Sequence, residues 1–255
     1  IIGYTFDSVL FRIFHYNKNL EQRGIPARHG FSFVAPVHSR LFYETSNSQN
    51  YINQYNGGGY SLFYSIYRDV VFWANNGLVT KAHNAYRSCK LDYMKPGVAY
   101  GKRGDILDAT VLKAKMFFTT EGMAVPAIPV NGRKAVLSFI NSIFCHYVIN
   151  IYCGNHKQAG YVSLLPMPDY ATRQSDIERI VNAIIEIKRK CFCLDETNLE
   201  YHGLLAQMDL KDGIEAGLDK MQEQLTADYT QYTELVKEND DLWMDLADID
   251  RGSEF

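Results

Sequence analysis

The sequence predicts an α+β fold: a mixed, β-rich body with buried helices, followed by an acidic all-α C-terminal extension. Three observations carry that expectation. Over the first 130 residues, short aromatic and β-branched runs alternate with clusters of Gly, Pro, Asn and Ser, the pattern of strands joined by long connections. From Ala135 onward the apolar residues change to helical spacing. Beyond residue 175 the chain turns strongly acidic.

The runs at 31–34, 41–43, 70–73, 98–100 and 115–119 are the expected strands. Trp73 and Tyr100 lie within them and read as core rather than as base-stacking platforms. The stretch 47–59 is polar and ends in three glycines, so it has little to bury and reads as a flexible or functional loop. Between 135 and 153, Leu137, Ile140, Phe144, Tyr147, Val148 and Ile151 predict a buried helix of about four turns. Pro166 and Pro168 mark an extended segment at 164–168, through which no helix runs. Ser175 followed by Glu178 forms a capping box. It opens an amphipathic helix with Ile177, Ile180, Val181, Ile184 and Ile187 on its apolar face, ending near Lys190. Residues 213–250 read as long helices carrying a stripe from Ile214 through Leu218, Leu225, Leu235 and Leu242 to Ile249. Asn239-Asp240-Asp241 is the candidate break between them.

These elements divide the chain into a body, 1–175, and an acidic helical extension, 176–250. Gly252-Ser253-Glu254-Phe255 reads as a cloning scar, so 251–255 are set outside the fold. The opening Ile1-Ile2-Gly3, without Met, is expected of a piece cut from something longer.

Of the 255 residues 47% are apolar, enough for one good core or two small ones. The net charge of -3 hides a division. Residues 1–175 carry 18 Lys and Arg against 9 Asp and Glu, a balance of +9. Residues 176–255 carry 8 against 20, a balance of -12. Such asymmetry points to nucleic-acid contact on the basic side. The five cysteines show no paired spacing and fit reduced thiols in a cytoplasm. Cys191, Cys193 and His202 match no zinc spacing and lack a fourth ligand, so no metal is expected. No apolar run approaches the roughly 20 residues of a membrane span, and no membrane partner is expected.

Catalytic signatures are missing from the sequence. There is no phosphate-cradling Gly-rich loop ending in Lys and Ser or Thr, no Gly-x-Ser-x-Gly elbow and no His-Glu-x-x-His helix. The chain reads as a binding module, with catalytic residues: none.

The order of several weak motifs resembles one family. Pro26-Ala27-Arg28-His29-Gly30-Phe31-Ser32 is followed by Arg40-Leu41-Phe42-Tyr43-Glu44, then Tyr55-Asn56-Gly57-Gly58-Gly59-Tyr60. Val70-Val71-Phe72-Trp73-Ala74-Asn75-Asn76-Gly77, Tyr93-Met94-Lys95-Pro96-Gly97, Leu137-Ser138-Phe139-Ile140-Asn141-Ser142 and Gly160 to Pro168 follow in turn. Together they resemble the target recognition region of large adenine-specific DNA methyltransferases: the PglX-like enzymes of BREX phage defence and the related type IIG restriction-modification enzymes. The resemblance spans roughly residues 25–250 and departs at Phe33-Val34-Ala35-Pro36, where the family commonly has Thr-Gly-Asp-Asn. It implies recognition of a short double-stranded DNA target. It also implies an upstream methyltransferase domain that binds S-adenosylmethionine, flips adenine out of the duplex and methylates it, in a bacterial cytoplasm. The cofactor belongs to that domain; none is expected in this chain.

Residues suited to DNA follow from chemistry. Arg pairs with guanine's two acceptors, Asn and Gln with adenine, and cations with phosphates. The loop candidates are Arg28 and Arg40; Asn53, Gln54 and Asn56; Lys102 and Arg103; and His156, Lys157 and Gln158. Each has a plainer reading beside it. Arg40 has Glu44 within pairing distance in sequence, and Lys102 and Arg103 have Asp105 and Asp108. A rival function is a protein-interaction module linking the methyltransferase to other defence components, with the acidic helical extension as its surface.

Overall fold

The computed structural model describes residues 8–32, 34–46, 48–58, 61–82 and 92–249. Strands and helices are mixed, as an α+β chain requires. A four-stranded sheet has the order β1-β3-β2-β6, from β1 (Ser39–Leu41), β2 (Tyr51–Tyr55), β3 (Asp69–Phe72) and β6 (Phe117–Phe118). Its first three strands are antiparallel, and β6 lies parallel to β2. A three-stranded antiparallel sheet has the order β5-β4-β7, from β4 (Gly97–Gly101), β5 (Thr110–Leu112) and β7 (Gly122–Val125). The turn between β6 and β7 ties the two sheets together through the Thr119 N–H, which donates to the Gly122 carbonyl at 3.0 Å and the Tyr55 carbonyl at 3.2 Å.

The strands at 70–73 and 98–100 stand as β3 and β4, displaced by a residue at their ends. The run at 115–119 holds the two-residue strand β6; the first two runs need correction. Phe31 forms only a single bridge to Thr119, and the chain enters helix α2 (Ala35–His38) directly after the expected run at 31–34. β1 stops at Leu41 because the Glu44 carboxylate takes the Leu41 N–H and closes a tight turn. Within 47–59, expected as loop, β2 is an inner strand paired on both sides. Its backbone bonds outweigh the polarity of Asn53 and Gln54. Strands β5 and β7 carry no separate signal in the sequence.

The helical half is also cut differently. The single helix expected between 135 and 153 is two, α4 (Arg133–Ile140) and α5 (Ile143–Tyr152), bent by 69°. Asn141 and Ser142 make the bend. Ser142 Oγ accepts the Cys145 N–H as the cap of α5. The buried Asn141 amide bonds the Ala109 backbone on both of its groups. No single helix among the described residues is long and apolar enough to cross a membrane.

Short helix α6 (Ala159–Ser163) leads to the proline segment, and α7 (Gln174–Phe192) follows. Its capping box does not form. The helix opens one residue before Ser175, and the Gln174 side chain donates to Glu178 instead. The last helix, α8 (Ile214–Leu246), runs unbroken through Asn239-Asp240-Asp241. Burial replaces the expected break: Asn239 bonds Ser138 of α4, and Asp240 accepts the first N–H of α5 from Ile143 at 2.8 Å.

One apolar cluster joins α1 (Ser8–Tyr16), β4, β7 and helices α4 to α8, with Tyr100, Phe139, Ile180, Ile184, Leu242 and Trp243 buried in it. A second, around Tyr55, Tyr64, Tyr67 and Phe118, lies beside the first. A third packs Phe31 edge to face against Phe117 and Trp73, the residue just before helix α3 (Ala74–Ala82). Trp73 and Tyr100 are therefore core, as expected.

Candidate nucleic-acid interface

Four segments distant in sequence meet where the β6–β7 turn joins the sheets. The first brings Arg28 and His29. Arg28 is held by backbone bonds to Ala124 of β7, at 2.7 Å from its N–H and 3.3 Å to its carbonyl. The second is the end of β2, Asn56-Gly57-Gly58. Gly57 and Gly58 have φ of +74° and +80°, which side chains disfavour. Gly57 also lies so close to the turn that a Cβ there would fall 2.7 Å from the Glu121 carbonyl. The third is the loop after β4, where the Lys102 N–H donates to the Glu121 carbonyl at 2.9 Å. The fourth is the loop after α5. His156 bridges Arg103, and the Lys157 N–H donates to the Lys102 carbonyl at 2.7 Å.

Between these segments lies a cleft lined by Asn56, Gly57, Gly58, Gly101, Lys102, Arg103 and Glu121. Glu121 organises its charge. One carboxylate oxygen is 3.1 Å from Lys102 Nζ and the other 3.0 Å from Arg103 Nε. Burial works to raise the Glu121 carboxyl, but the two cations outweigh it and hold it below the usual carboxylate range. His29 is pushed below its ordinary value by burial and then by the nearby Lys102 ammonium.

Not every sequence candidate belongs here. Asn56, Lys102 and Arg103 line the cleft, and His156 is bridged to Arg103 beside it, with Gln158 half-buried next to His156. Arg28 reaches this region through its backbone on β7, while its guanidinium Nε lies 3.7 Å from Asp92. Lys102 and Arg103 pair with Glu121, not with Asp105 or Asp108; one Asp108 oxygen accepts the Gly101 N–H at 2.9 Å. Lys157 is a correction. Its side chain is fully buried, and its ammonium donates to Asn150 Oδ1 and to the Cys153 and Gly154 carbonyls. It closes the C-terminal end of α5, where a cation is favoured, and is not offered to DNA. Gln54 is also a correction, because its side chain is buried in β2 beside Ser39. Asn53 stays half-buried opposite Val70 within the sheet. Arg40 sits on edge strand β1, away from the cleft, with its guanidinium on the Pro36 and Ser39 carbonyls. Its expected partner Glu44 is taken by the Leu41 N–H.

Sequence reasoning missed Glu121 and Thr119. Thr119-Thr120-Glu121-Gly122 is legible as a turn, but nothing in it announces that its carboxylate reaches two cations nineteen and eighteen positions earlier. Among the described residues no group of three or more His, Cys, Asp or Glu could hold a metal ion.

No family model matches the chain, and no curated protein matches it. Among solved structures, it is similar to the type IIL restriction-modification enzyme MmeI, whose structure is in complex with DNA. That similarity has a TM-score of 0.54 at 9% identity, covering 90% of this chain and 33% of the enzyme's. The chain thus shares its fold with about a third of that enzyme's length.

Proposed function

We propose that this chain is the double-stranded DNA recognition part of a restriction-modification or BREX-type enzyme. In this reading an upstream domain of the same bacterial, cytoplasmic protein binds S-adenosylmethionine and methylates adenine within the target, while this chain selects the sequence. The observation that carries the reading is the convergence of Asn56, Lys102 and Arg103 on one glycine-floored cleft, with His156 bridged to Arg103 beside it. Cations of this kind neutralise phosphates, and Arg and Asn read base edges. The solved neighbour, a restriction-modification enzyme in complex with DNA, lends support through the shared fold.

The test is titration of the full chain with a short duplex from low to moderate salt. Affinity should fall steeply as salt rises. Lys102→Ala with Arg103→Ala should weaken binding by about tenfold or more, equivalent to about 1.4 kcal/mol, with an unchanged thermal midpoint. Retention no better than that of an uncharged control at low salt sinks the reading, and unchanged affinity in the double variant moves DNA off this face.

One observation favours the second reading, an interaction module. Helix α8 outruns α7, since Lys188 near the end of α7 already lies over the Tyr232 ring. The first turns of α8 therefore expose Ile214, Leu218 and Tyr229 beside Glu215, Asp219 and Glu223. Loss of duplex binding with retention of a protein partner would favour this reading.

A further inference from the structure

The cleft has a chemical polarity that residue types alone do not show. The Thr119 hydroxyl oxygen accepts the Glu121 and Gly122 N–H groups at 3.3 and 3.1 Å. Its single proton is therefore left for Asn56 Oδ1, 2.9 Å away. That bond orients the Asn56 amide, with its carbonyl on Thr119 and its Nδ2 donors turned away from it, and Asn56 lines the cleft. Across the cleft, Glu121 grips Arg103 at Nε, while the Arg103 side chain remains 68% exposed. Among the described residues nothing else engages the guanidinium, so its Nη1–Nη2 edge stays available as a two-pronged donor. The floor between them is bare backbone at Gly57, Gly58 and Gly101, which lets a flat group approach closely.

Both walls thus donate. We propose that the cleft reads the major-groove edge of a guanine, with Arg103 and the Asn56 amide as its donors and Glu121 as the residue that positions Arg103. Guanine offers two acceptors there, N7 and O6. Adenine places its N6 amino group, a donor, against these donors, and cytosine offers only a donor. The inference rests on the DNA reading above and adds the base that this position prefers.

The test selects the full chain against duplexes with a randomised core and sequences the bound pool. The native chain should enrich guanine at one position. Asn56→Asp keeps the oxygen that accepts from Thr119 but turns the cleft-side donor into an acceptor. Guanine preference there should fall by about tenfold, the size of one good base contact, with adenine or cytosine gaining. Arg103→Lys keeps the charge and loses the fork, so guanine preference should fall while salt dependence persists. Glu121→Gln frees both cations: non-specific binding should tighten, the salt slope should steepen by about one, and guanine preference should drop. A residue with a merely structural role would not separate affinity from preference in this way. If the native chain binds duplex yet selects no guanine, or if all three variants keep its guanine preference, the inference falls and the DNA reading stands. If the native chain binds no duplex, the DNA reading itself fails and the inference falls with it.

Discussion

His146 shows how one buried side chain ties stability to pH. Burial pushes its imidazole down to about 4, although the Leu107 and Ile140 carbonyls favour its proton. The unfolded chain holds that proton near the ordinary value of about 6.5. His146 therefore contributes stability above pH 6.5 that is lost as pH falls toward 4, about 3 kcal/mol in full. Urea midpoints measured from pH 7 to 4 should fall less steeply in His146→Gln than in the native chain; parallel profiles would contradict the assignment. Lys157 teaches the same lesson by its place. A lysine in a polar loop reads as a phosphate contact, yet helix α5 ends with carbonyls facing inward and draws the ammonium in. Asn56 ran the other way, because the orientation of its amide depends on a threonine 63 residues distant.

At the scale of elements, the docking of α8 on α4 depends on a small polar knot inside an apolar surface. The Ser138 hydroxyl donates to Asn239 Oδ1, Asn239 Nδ2 returns a bond to the Ser138 carbonyl at 3.2 Å, and Trp243 Nε1 donates to Ser138 Oγ at 2.7 Å. All three residues are fully buried. Removing one partner leaves the others unsatisfied, so Asn239→Ala and Ser138→Ala should each lower unfolding free energy by about 1–3 kcal/mol. Because they share one network, the double variant should lose less than the sum, and strict additivity in denaturant unfolding would contradict the knot. This knot also explains why α8 runs through Asn239-Asp240-Asp241. In isolation those residues weaken a helix, but here Asn239 is buried in the knot and Asp240 caps α5. The helical period of α7 and α8 was legible because one face of each is apolar. The bend between α4 and α5 was not, since Asn141 and Ser142 sit within an otherwise uniform helical period.

For the whole molecule, the main apolar cluster runs without interruption across residue 175. Ile177, Ile180, Val181 and Ile184 of α7 and Leu242 and Trp243 of α8 bury against α4, α5 and the β4–β7 sheet. Truncation after 175 would expose that face of the body, and large buried residues contribute roughly 2–5 kcal/mol each. The shortened chain should therefore show no cooperative thermal transition by near-ultraviolet circular dichroism, whereas the full chain should show one. A native-like transition in the fragment would establish that the body folds alone. Within the acidic extension, the first turns of α8 expose Glu215, Asp219 and Glu223, while its last turns enter the core through Leu242 and Trp243.

By itself, the sequence determined the class of fold, the strands β3 and β4, the apolar faces of α7 and α8, and the residue types suited to nucleic acid. These follow from local period and side-chain chemistry, which each segment carries wherever it is placed. Only the tertiary structure decided that β2 is an inner strand, that Lys157 and Gln54 are buried, that Glu121 pairs with Lys102 and Arg103, and that Thr119 holds the Asn56 amide. Each of those outcomes depends on hydrogen bonds and ion pairs between segments far apart in the chain, and no local pattern encodes which partners folding will bring within 3 Å of one another.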